Sequence, residues 1–165
     1  MLVKIISGGQ TGVDQAALRV AQDLGLQHGG WCPPGHICED GRIPESFTLM
    51  ETPQERSEHA PNVPRSQRTE WNVRDADATL ILTFHTQPED ASTLWTLKAA
   101  EMYDKPLMML DPRHKLSEAQ LVNWLDLHQI RILNVAGPAE SREKGIGEVV
   151  FAFLRGAVLN NHRKY

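Results

Sequence analysis

The sequence predicts one α/β domain built on an open, mostly parallel, doubly wound sheet with helices on both faces. Three observations predict it. Short apolar runs alternate with helical patterns from one end of the chain to the other, the mark of consecutive βαβ units. The first run passes through a glycine turn directly into a helix pattern, Ser7-Gly8-Gly9-Gln10-Thr11-Gly12-Val13-Asp14. A length of 165 residues fits a single domain with a real core.

Each element follows from its own pattern. Leu2-Val3-Lys4-Ile5-Ile6 reads as a strand, and Ala16, Ala17, Leu18, Val20, Ala21 and Leu24 read as a helix stopping near Gly25. Residues 28–44 are rich in Gly and Pro, so they exclude a helix and allow a strand only at their start. Trp31, Ile37 and Ile43 give that long loop apolar anchors, and Phe47-Thr48-Leu49-Met50 reads as a short strand. Residues 52–64 are polar and proline-punctuated, the composition of a mobile surface lid. Residues 66–76 read as a helix with Trp71 inward and Arg68 and Asn72 sharing one face. The clearest buried strand is 78–84, followed by a polar loop to Ser92 and a helix from Thr93 that stops before Pro106. Leu107-Met108-Met109-Leu110 reads as another buried strand. Ser117-Glu118-Ala119-Gln120 is a capping box opening a helix through Leu127. The last strand is 130–135, and a final helix carries Ile146, Val149, Val150, Phe153, Leu154, Ala157 and Val158 on one stripe.

Composition narrows the function. Hydrophobic residues at 41% and charged residues at 23% are ordinary for a soluble globular chain. A net charge of -4 argues against a nucleic-acid binder. No apolar run reaches the ~20 residues of a membrane span, and the N-terminus reads as a strand, not a signal peptide. Two cysteines do not make a disulfide scaffold. A cytoplasmic location is the expectation.

Ligands of open parallel sheets sit outside the carboxyl ends of the strands. Here those ends lead into residues 8–12, 85–92, 111–114 and 134–140. The 8–12 turn brings unpaired amides and the positive pole of a helix into one small volume, which suits a phosphate. It is neither G-x-G-x-x-G nor a P-loop. Thr11 and Asp14 also match a capping box, which needs no ligand. Arg68, Thr69 and Asn72 offer a guanidinium, a hydroxyl and an amide on one helix, fit for phosphate or for a solvated face. Ser92-Thr93 at a helix start suits a second anion or a cap. Asn134, Gly137 and Glu140 surround a strand-end turn facing the cleft. Trp31 has a face for a planar heterocycle or for packing its own loop, and Asp40 lies in an Asp-Gly turn where it can meet ligand donors.

His28, Cys32, His36 and Cys38 do not have a common zinc spacing, and loop packing is the favoured reading, with no metal site assigned. A reactive Cys32 thiol requires an electropositive loop that lowers its pKa. No G-x-S-x-G, H-E-x-x-H or paired carboxylates stand out, so no catalytic residue is assigned and binding is favoured over chemistry.

Several separated motifs occur in a recognisable order: Gly8-Gly9-Gln10-Thr11-Gly12-Val13-Asp14, Gly29-Gly30-Trp31-Cys32-Pro33, Glu39-Asp40-Gly41 with Ile43-Pro44, Arg68-Thr69-Glu70-Trp71-Asn72-Val73, and Leu133-Asn134-Val135-Ala136-Gly137-Pro138 with Glu140-Ser141. In this the chain resembles the molybdenum cofactor carrier proteins, a circularly permuted YpsA-type branch of the SLOG superfamily. The resemblance implies a three-layer Rossmann-like fold and a cytoplasmic homo-oligomer, dimer or tetramer, with no membrane or nucleic-acid partner. It implies a phosphorylated small-molecule ligand, the molybdopterin form of molybdenum cofactor, shielded and passed to apo-molybdoenzymes. By position it implies that Gly8, Gly9, Thr11 and Gly12 hold an anion, with Arg68, Thr69 and Asn72 lining the same cleft; Gln10 and Asp14 join the binding residues, the Asp14 carboxylate repelling a phosphate but able to accept from a ribose hydroxyl or an amino-substituted heterocycle. One departure is Ala91-Ser92-Thr93, preceded by Glu89-Asp90, where relatives often carry Gly-Gly-Thr; this narrows a second anion site and adds repulsion. The same superfamily contains phosphoribohydrolases acting on nucleotides. Their P-G-G-x-G-T-x-x-E motif is missing here, and a nucleotide-processing enzyme using Asp14, Asp40 or Glu140 is the alternative.

Overall fold

A computed structural model describes residues 1–165. In chain order the elements are β1 (Lys4–Ile6), α1 (Val13–Asp23), β2 (Gln27–Gly29), β3 (Trp31–Cys32), β4 (Ile37–Cys38), β5 (Gly41–Arg42) and β6 (Met50–Glu51). Then come α2 (Ser66–Asp75), β7 (Ala78–Leu82), α3 (Ala91–Met102), β8 (Leu107–Leu110), α4 (Ser117–Leu127), β9 (Ile132–Ala136) and α5 (Ile146–His162). The central sheet has five strands in the order β2-β1-β9-β7-β8, and every neighbouring pair is parallel. Helices α1, α4 and α5 share one large core with one face of the sheet, while α2 and α3 cover the other through Val73, Trp95, Ala99 and Ala100. This is the three-layer, Rossmann-like architecture expected.

The last strand lies in the middle of the sheet. Restarting the count at β9 makes the order 3-2-1-4-5, that of a doubly wound nucleotide-binding sheet. The termini meet as such a permutation requires. Leu2 N–H donates to Asn161 Oδ1 at 3.2 Å, and Leu2 O lies 2.9 Å from His162 Nε2. Burial follows strand position: β7 is buried throughout, whereas three of the four residues of β8 are only partly covered. The expectation of a buried strand at 107–110 is therefore corrected, because β8 is an edge with one face of neighbours missing.

Helices α5 and α3, which follow the adjacent strands β9 and β7, leave to opposite faces. The carboxyl ends of β9 and β7 therefore open onto a crevice, the switch point of the fold.

The long segment between β2 and α2 differs most from expectation. The 28–44 stretch contains β3, a β4–β5 antiparallel hairpin and the end of β2, and β3 pairs in parallel with β6. At 47–50 a 3-10 turn, Glu45–Phe47, precedes β6 in place of a strand over Phe47. These two-residue strands have no periodicity of their own; distant partners set them. Gly30 makes the crossing possible at φ +124, since a Cβ there would lie 2.5 Å from Ser7 O. Residues 52–64 are pinned to α2 and do not form a free lid. Gln54 N–H donates to Gln67 Oε1 at 2.8 Å, Ser57 N–H to Ser66 Oγ at 2.8 Å, and the Ser57 hydroxyl to the buried Glu70 carboxylate.

Leu18 leaves the sheet side of α1 and packs with Cys32, Ile43, Phe47 and Leu49 in a small second core. It is fully buried and joins this segment to the main body. Leu18→Ala is expected to destabilise the protein by about 3 kcal/mol. The amides of β3 and β6 should exchange earlier than those of β7 and β9 by hydrogen exchange; uniform exchange would contradict this division.

Candidate functional site

The crevice has two compartments. The inner one, about 40 Å³, is lined by Gly8, Asp14, Arg68, Thr69, Asn72, Ile81, Ser92, Thr93, Thr96, Asn134, Val135, Ala136 and Gly137. The outer one is about 700 Å³ and includes Gln10, Arg65, Arg68, His85, Ser92, Thr93, Gly137, Arg142 and Glu143 in its lining. Of the sequence-designated residues, Gly8, Asp14, Arg68, Thr69, Asn72, Ser92, Thr93, Asn134 and Gly137 come together around the inner chamber, and Gln10 joins the outer cleft.

Local folding places each group. Ser7 at the end of β1 donates its hydroxyl to Val135 O at 2.6 Å, tying β1 to β9 where Gly8 begins. Asp14, on the first turn of α1, is buried and accepts from Arg68 Nη1 at 2.8 Å and from Gln10 N–H at 3.2 Å. Burial pushes the Asp14 carboxyl above the usual carboxylate range, against the opposing pull of Arg68 and of the Gln10 amide. The Arg68 guanidinium lies against Gly8; a Cβ there would be 1.7 Å from Nη1. Arg68 Nε is buried and has no hydrogen-bond partner. Asn72 holds the backbone of Trp31 with both ends of its amide, at 2.8 and 2.9 Å. Asn134 donates to Thr79 Oγ1 at 3.2 Å.

The start of α3 forms one wall. Asp90 caps it, accepting from Thr93 N–H at 2.8 Å, and Thr96 donates to Ser92 O at 3.0 Å. Asp90 is thus a cap as well as a negative charge near the mouth. Glu143 is likewise occupied, accepting from Thr83 Oγ1 at 2.6 Å and from Phe84 N–H at 2.7 Å.

The remaining designated residues lie elsewhere. The head of α1 is covered, contrary to the expectation of an open anion floor. Gly12 is its N-cap at φ +76, and a Cβ there would strike Pro138 O at 2.6 Å. Val13 N–H donates to Pro138 O at 3.3 Å. Gly9 is sealed beneath Leu49 and Ile43. The Thr11 hydroxyl accepts from Glu140 N–H at 3.1 Å and donates to the Glu39 carboxylate, so no Thr11–Asp14 capping box forms. The box at Ser117 does not form either, because its hydroxyl donates to Asp111 O at 2.6 Å. Thr11 accepts from the remote Glu140 amide in place of a local one, while Ser117 turns its hydroxyl back six residues to the Asp111 carbonyl. Glu140 accepts from Gly145 and Gly147 N–H at 2.8 and 3.3 Å, a carboxylate at the positive pole of α5. Trp31 donates its indole N–H to Asp75 at 2.7 Å and meets Trp71 edge-on, outside the cleft. Asp40 is exposed at the tip of the β4–β5 hairpin.

Sequence reasoning passed over Thr96, Arg65, His85 and Arg142. Thr96 stands one turn beyond Ser92 and was legible from helical spacing; Arg142 carried no local signal. Cys32 packs within its loop against Leu18, Ile43, Phe47 and Leu49, and the alternative of a reactive thiol is the one corrected. Burial, aided by Glu51, pushes its thiol up to about 11, so the thiolate is suppressed. Cys32 Sγ instead lies 3.4 Å from His36 Nδ1, and no group of three or more His, Cys, Asp or Glu is arranged to hold a metal ion.

Two outcomes follow. Breaking a buried pair from one side costs about 3–5 kcal/mol, and Arg68→Ala is expected to lose that order of stability in urea at neutral pH. The raised Asp14 pKa means that the folded chain holds this proton more tightly than the unfolded chain. Its contribution is full below the unfolded value and is lost as pH rises through the folded value. The Arg68→Ala deficit therefore shrinks on acidification, and adding Asp14→Asn restores most of it; a deficit that does not vary with pH would contradict the assignment. Iodoacetamide at neutral pH should modify Cys38 and leave Cys32 intact in the folded chain, read by mass spectrometry.

The model of the circularly permutated YpsA SLOG family matches residues 5–158. A crystal structure from Syntrophus aciditrophicus SB, described as a "Putative molybdenum carrier protein", superposes with a TM-score of 0.82 at 36% identity. The alignment covers 93% of this chain and 92% of that one. No curated protein matches the chain. With the strand order, the switch-point crevice and these matches together, the chain belongs to the circularly permutated YpsA family of SLOG proteins.

Proposed function

We propose that the crevice between β9 and β7 binds molybdenum cofactor, a phosphorylated pterin, and that the protein carries it to apo-molybdoenzymes without transforming it. The observation that carries this reading is the Arg68 guanidinium. It is laid over Gly8, mostly covered, with an unpaired Nε, and it lines the inner chamber together with Ser92 and Thr93. A guanidinium with neighbouring hydroxyls and a helix start is a donor set for phosphate or an oxo-metal anion. The outer cleft, at about 700 Å³, has the size of small-molecule sites. The name of the Syntrophus aciditrophicus neighbour, aligned over nearly the whole chain, supports the same ligand.

The residues fit the cofactor with one adjustment. No Trp, Tyr or Phe lines either compartment, and His85 is the one aromatic ring of the outer cleft, so the pterin is held by hydrogen bonds from groups such as Gln10 and Arg142 and not by stacking on Trp31. When bound, the cofactor supplies the molybdenum-coordinating dithiolene; the chain supplies anion binding and shelter from water.

The nucleotide-processing alternative gains no support from its named carboxylates. Glu140 is bound to the head of α5, Asp40 is exposed on a hairpin, and Asp14 is held by Arg68.

Freshly purified protein should retain molybdenum and phosphorus in native mass spectrometry, and under anaerobic conditions it should lengthen the lifetime of added cofactor. Losing a charge-assisted hydrogen bond is worth about 1.5–3 kcal/mol, so Arg68→Met, checked for folding, should bind about 10- to 100-fold more weakly. Asp40→Asn should bind as the parent does. Equal cofactor lifetimes with and without protein would end the proposal.

A further inference from the structure

We propose that the open edge of β8 is a surface for a second copy of this chain, joined by antiparallel pairing of β8 with the partner's β8 across a two-fold axis. The proposal is independent of what the crevice binds.

The two edges of the central sheet are not equivalent. β2 ends one side and β8 the other. The β2 edge is guarded. His28 Nε2 lies 3.2 Å from Ser46 O, Gln22 Nε2 donates to the same carbonyl at 2.8 Å, and Met50 N–H donates to Gly30 O at 2.9 Å, so residues 46–50 lie against it. β8 has β7 as its single strand partner. Thr79 N–H donates to Pro106 O at 2.9 Å and Thr83 N–H to Leu110 O at 3.1 Å. The backbone groups of the even-numbered residues therefore face β7, and those of Leu107 and Met109 point away from the sheet. No other segment of the chain pairs with them.

This edge is also apolar. Leu107-Met108-Met109-Leu110 has no charge, proline or bulge within the strand to keep another strand off, and its first three residues are only partly covered. On α3, whose core includes Leu107, Leu94 is 47% and Met102 40% exposed. The strand thus has unused backbone groups in its plane and apolar side chains left to water beside it.

The edge is self-complementary. Setting Met108 against the partner's Met108 sets Leu107 against the partner's Met109, and Met109 against the partner's Leu107. Both become hydrogen-bonded pairs that exchange both of their N–H···O bonds, with the methionines as the closer, non-bonded pair between them. The same register sets Lys105, just before the strand, against the partner's Asp111, just after it. Lys105 spends one donor on Ala76 O at 2.8 Å and keeps the others. Opposite charges facing across an antiparallel pair are favourable and like charges are not. A shift of register loses this match. Pairing β8 with another copy's β2 would be heterologous and open-ended, and residues 46–50 stand in its way.

The two-fold axis stands perpendicular to the sheet, so the five strands of one copy continue into those of the other. The α3 helices become neighbours, with Leu94 and Met102 at the junction. The strands of the two halves run in opposite directions. The two crevices, each at the carboxyl ends of β9 and β7, therefore open on opposite sides of the dimer and do not obstruct each other.

Analytical ultracentrifugation of the wild-type chain over a concentration series should show a monomer–dimer equilibrium. Hydrogen exchange should show the Leu107 and Met109 amides gaining protection as the dimer forms. Met109→Pro removes an outward donor and no bond to β7, and should raise the dimer dissociation constant about tenfold or more. Lys105→Glu and Asp111→Lys are the second set of variants, with folding checked by a thermal melt. Each alone places like charges opposite each other at both ends of the junction and should be monomeric where the wild type is dimeric. Mixed in equal amounts they place opposite charges at both ends and should re-form a dimer, which would support the register. A wild-type chain that stays monomeric would overturn the proposal and leave the edge to a strand of another protein. An open-ended polymer would overturn it as well. So would a dimer in which the Leu107 and Met109 amides exchange as in the monomer, or one indifferent to Met109→Pro and to the charge reversals.

Discussion

The contact on which the site depends is the buried pair of Arg68 and Asp14. Asp14 stands on α1, which packs on one face of the sheet, and Arg68 stands on α2, which packs on the other. The pair thus ties the two helical layers together at the open end of β1. It also sets the chemistry there. Desolvation raises the Asp14 carboxyl's pKa, and the guanidinium, the Gln10 backbone amide and the Ser7 side chain oppose that cost. Asp14 occupies Nη1 of the guanidinium, and the buried Nε is left without a partner.

Around this pair the chain is organised by permutation. The central strand is contributed last, and β1 and β7 pair on either side of it. The switch point therefore assembles from residues near the start, middle and end of the sequence: Gly8, Arg68, Ser92 and Asn134. The same arrangement explains why the glycine turn after β1 is covered. In this order the 138–140 turn leaving β9 crosses over Gly12 and absorbs the head of α1. The exposed helix start passes to α3, which follows the neighbouring strand β7. Glutamate side chains then hold the loops. Glu39 binds Thr11 and Ser141, Glu140 binds the head of α5, and Glu143 binds Thr83 and Phe84.

Much of this was legible in the order of the residues. β7 and α5 announce themselves through continuous burial and a long apolar stripe, and the shared face of Arg68 and Asn72 follows from one helical turn. What was not legible depended on partners far away in the chain. β3 to β6 are two residues each and exist because Gly30 lets the chain cross Ser7 and because Leu18 offers an apolar seat. Thr11 has the spacing of a cap, but its hydroxyl is taken by Glu39 and by the Glu140 amide. Loop packing was the favoured reading for Cys32, but its partners Leu18 and Ile43 could not be named from the local pattern.

The sequence by itself determined the class of fold, the succession of strands and helices, and many of the polar residues that gather around the inner chamber. Local periodicity and the glycine turn carry that information, because hydrophobic spacing acts within a few residues. Only the tertiary structure decided which strand lies at the centre, which helix start stays open, and which side chains are spent on the fold instead of facing the cleft. Those outcomes rest on contacts between residues more than a hundred positions apart, such as Ser7 with Val135 and Thr11 with Glu140. No local pattern encodes the competition among such partners for the same hydrogen bond.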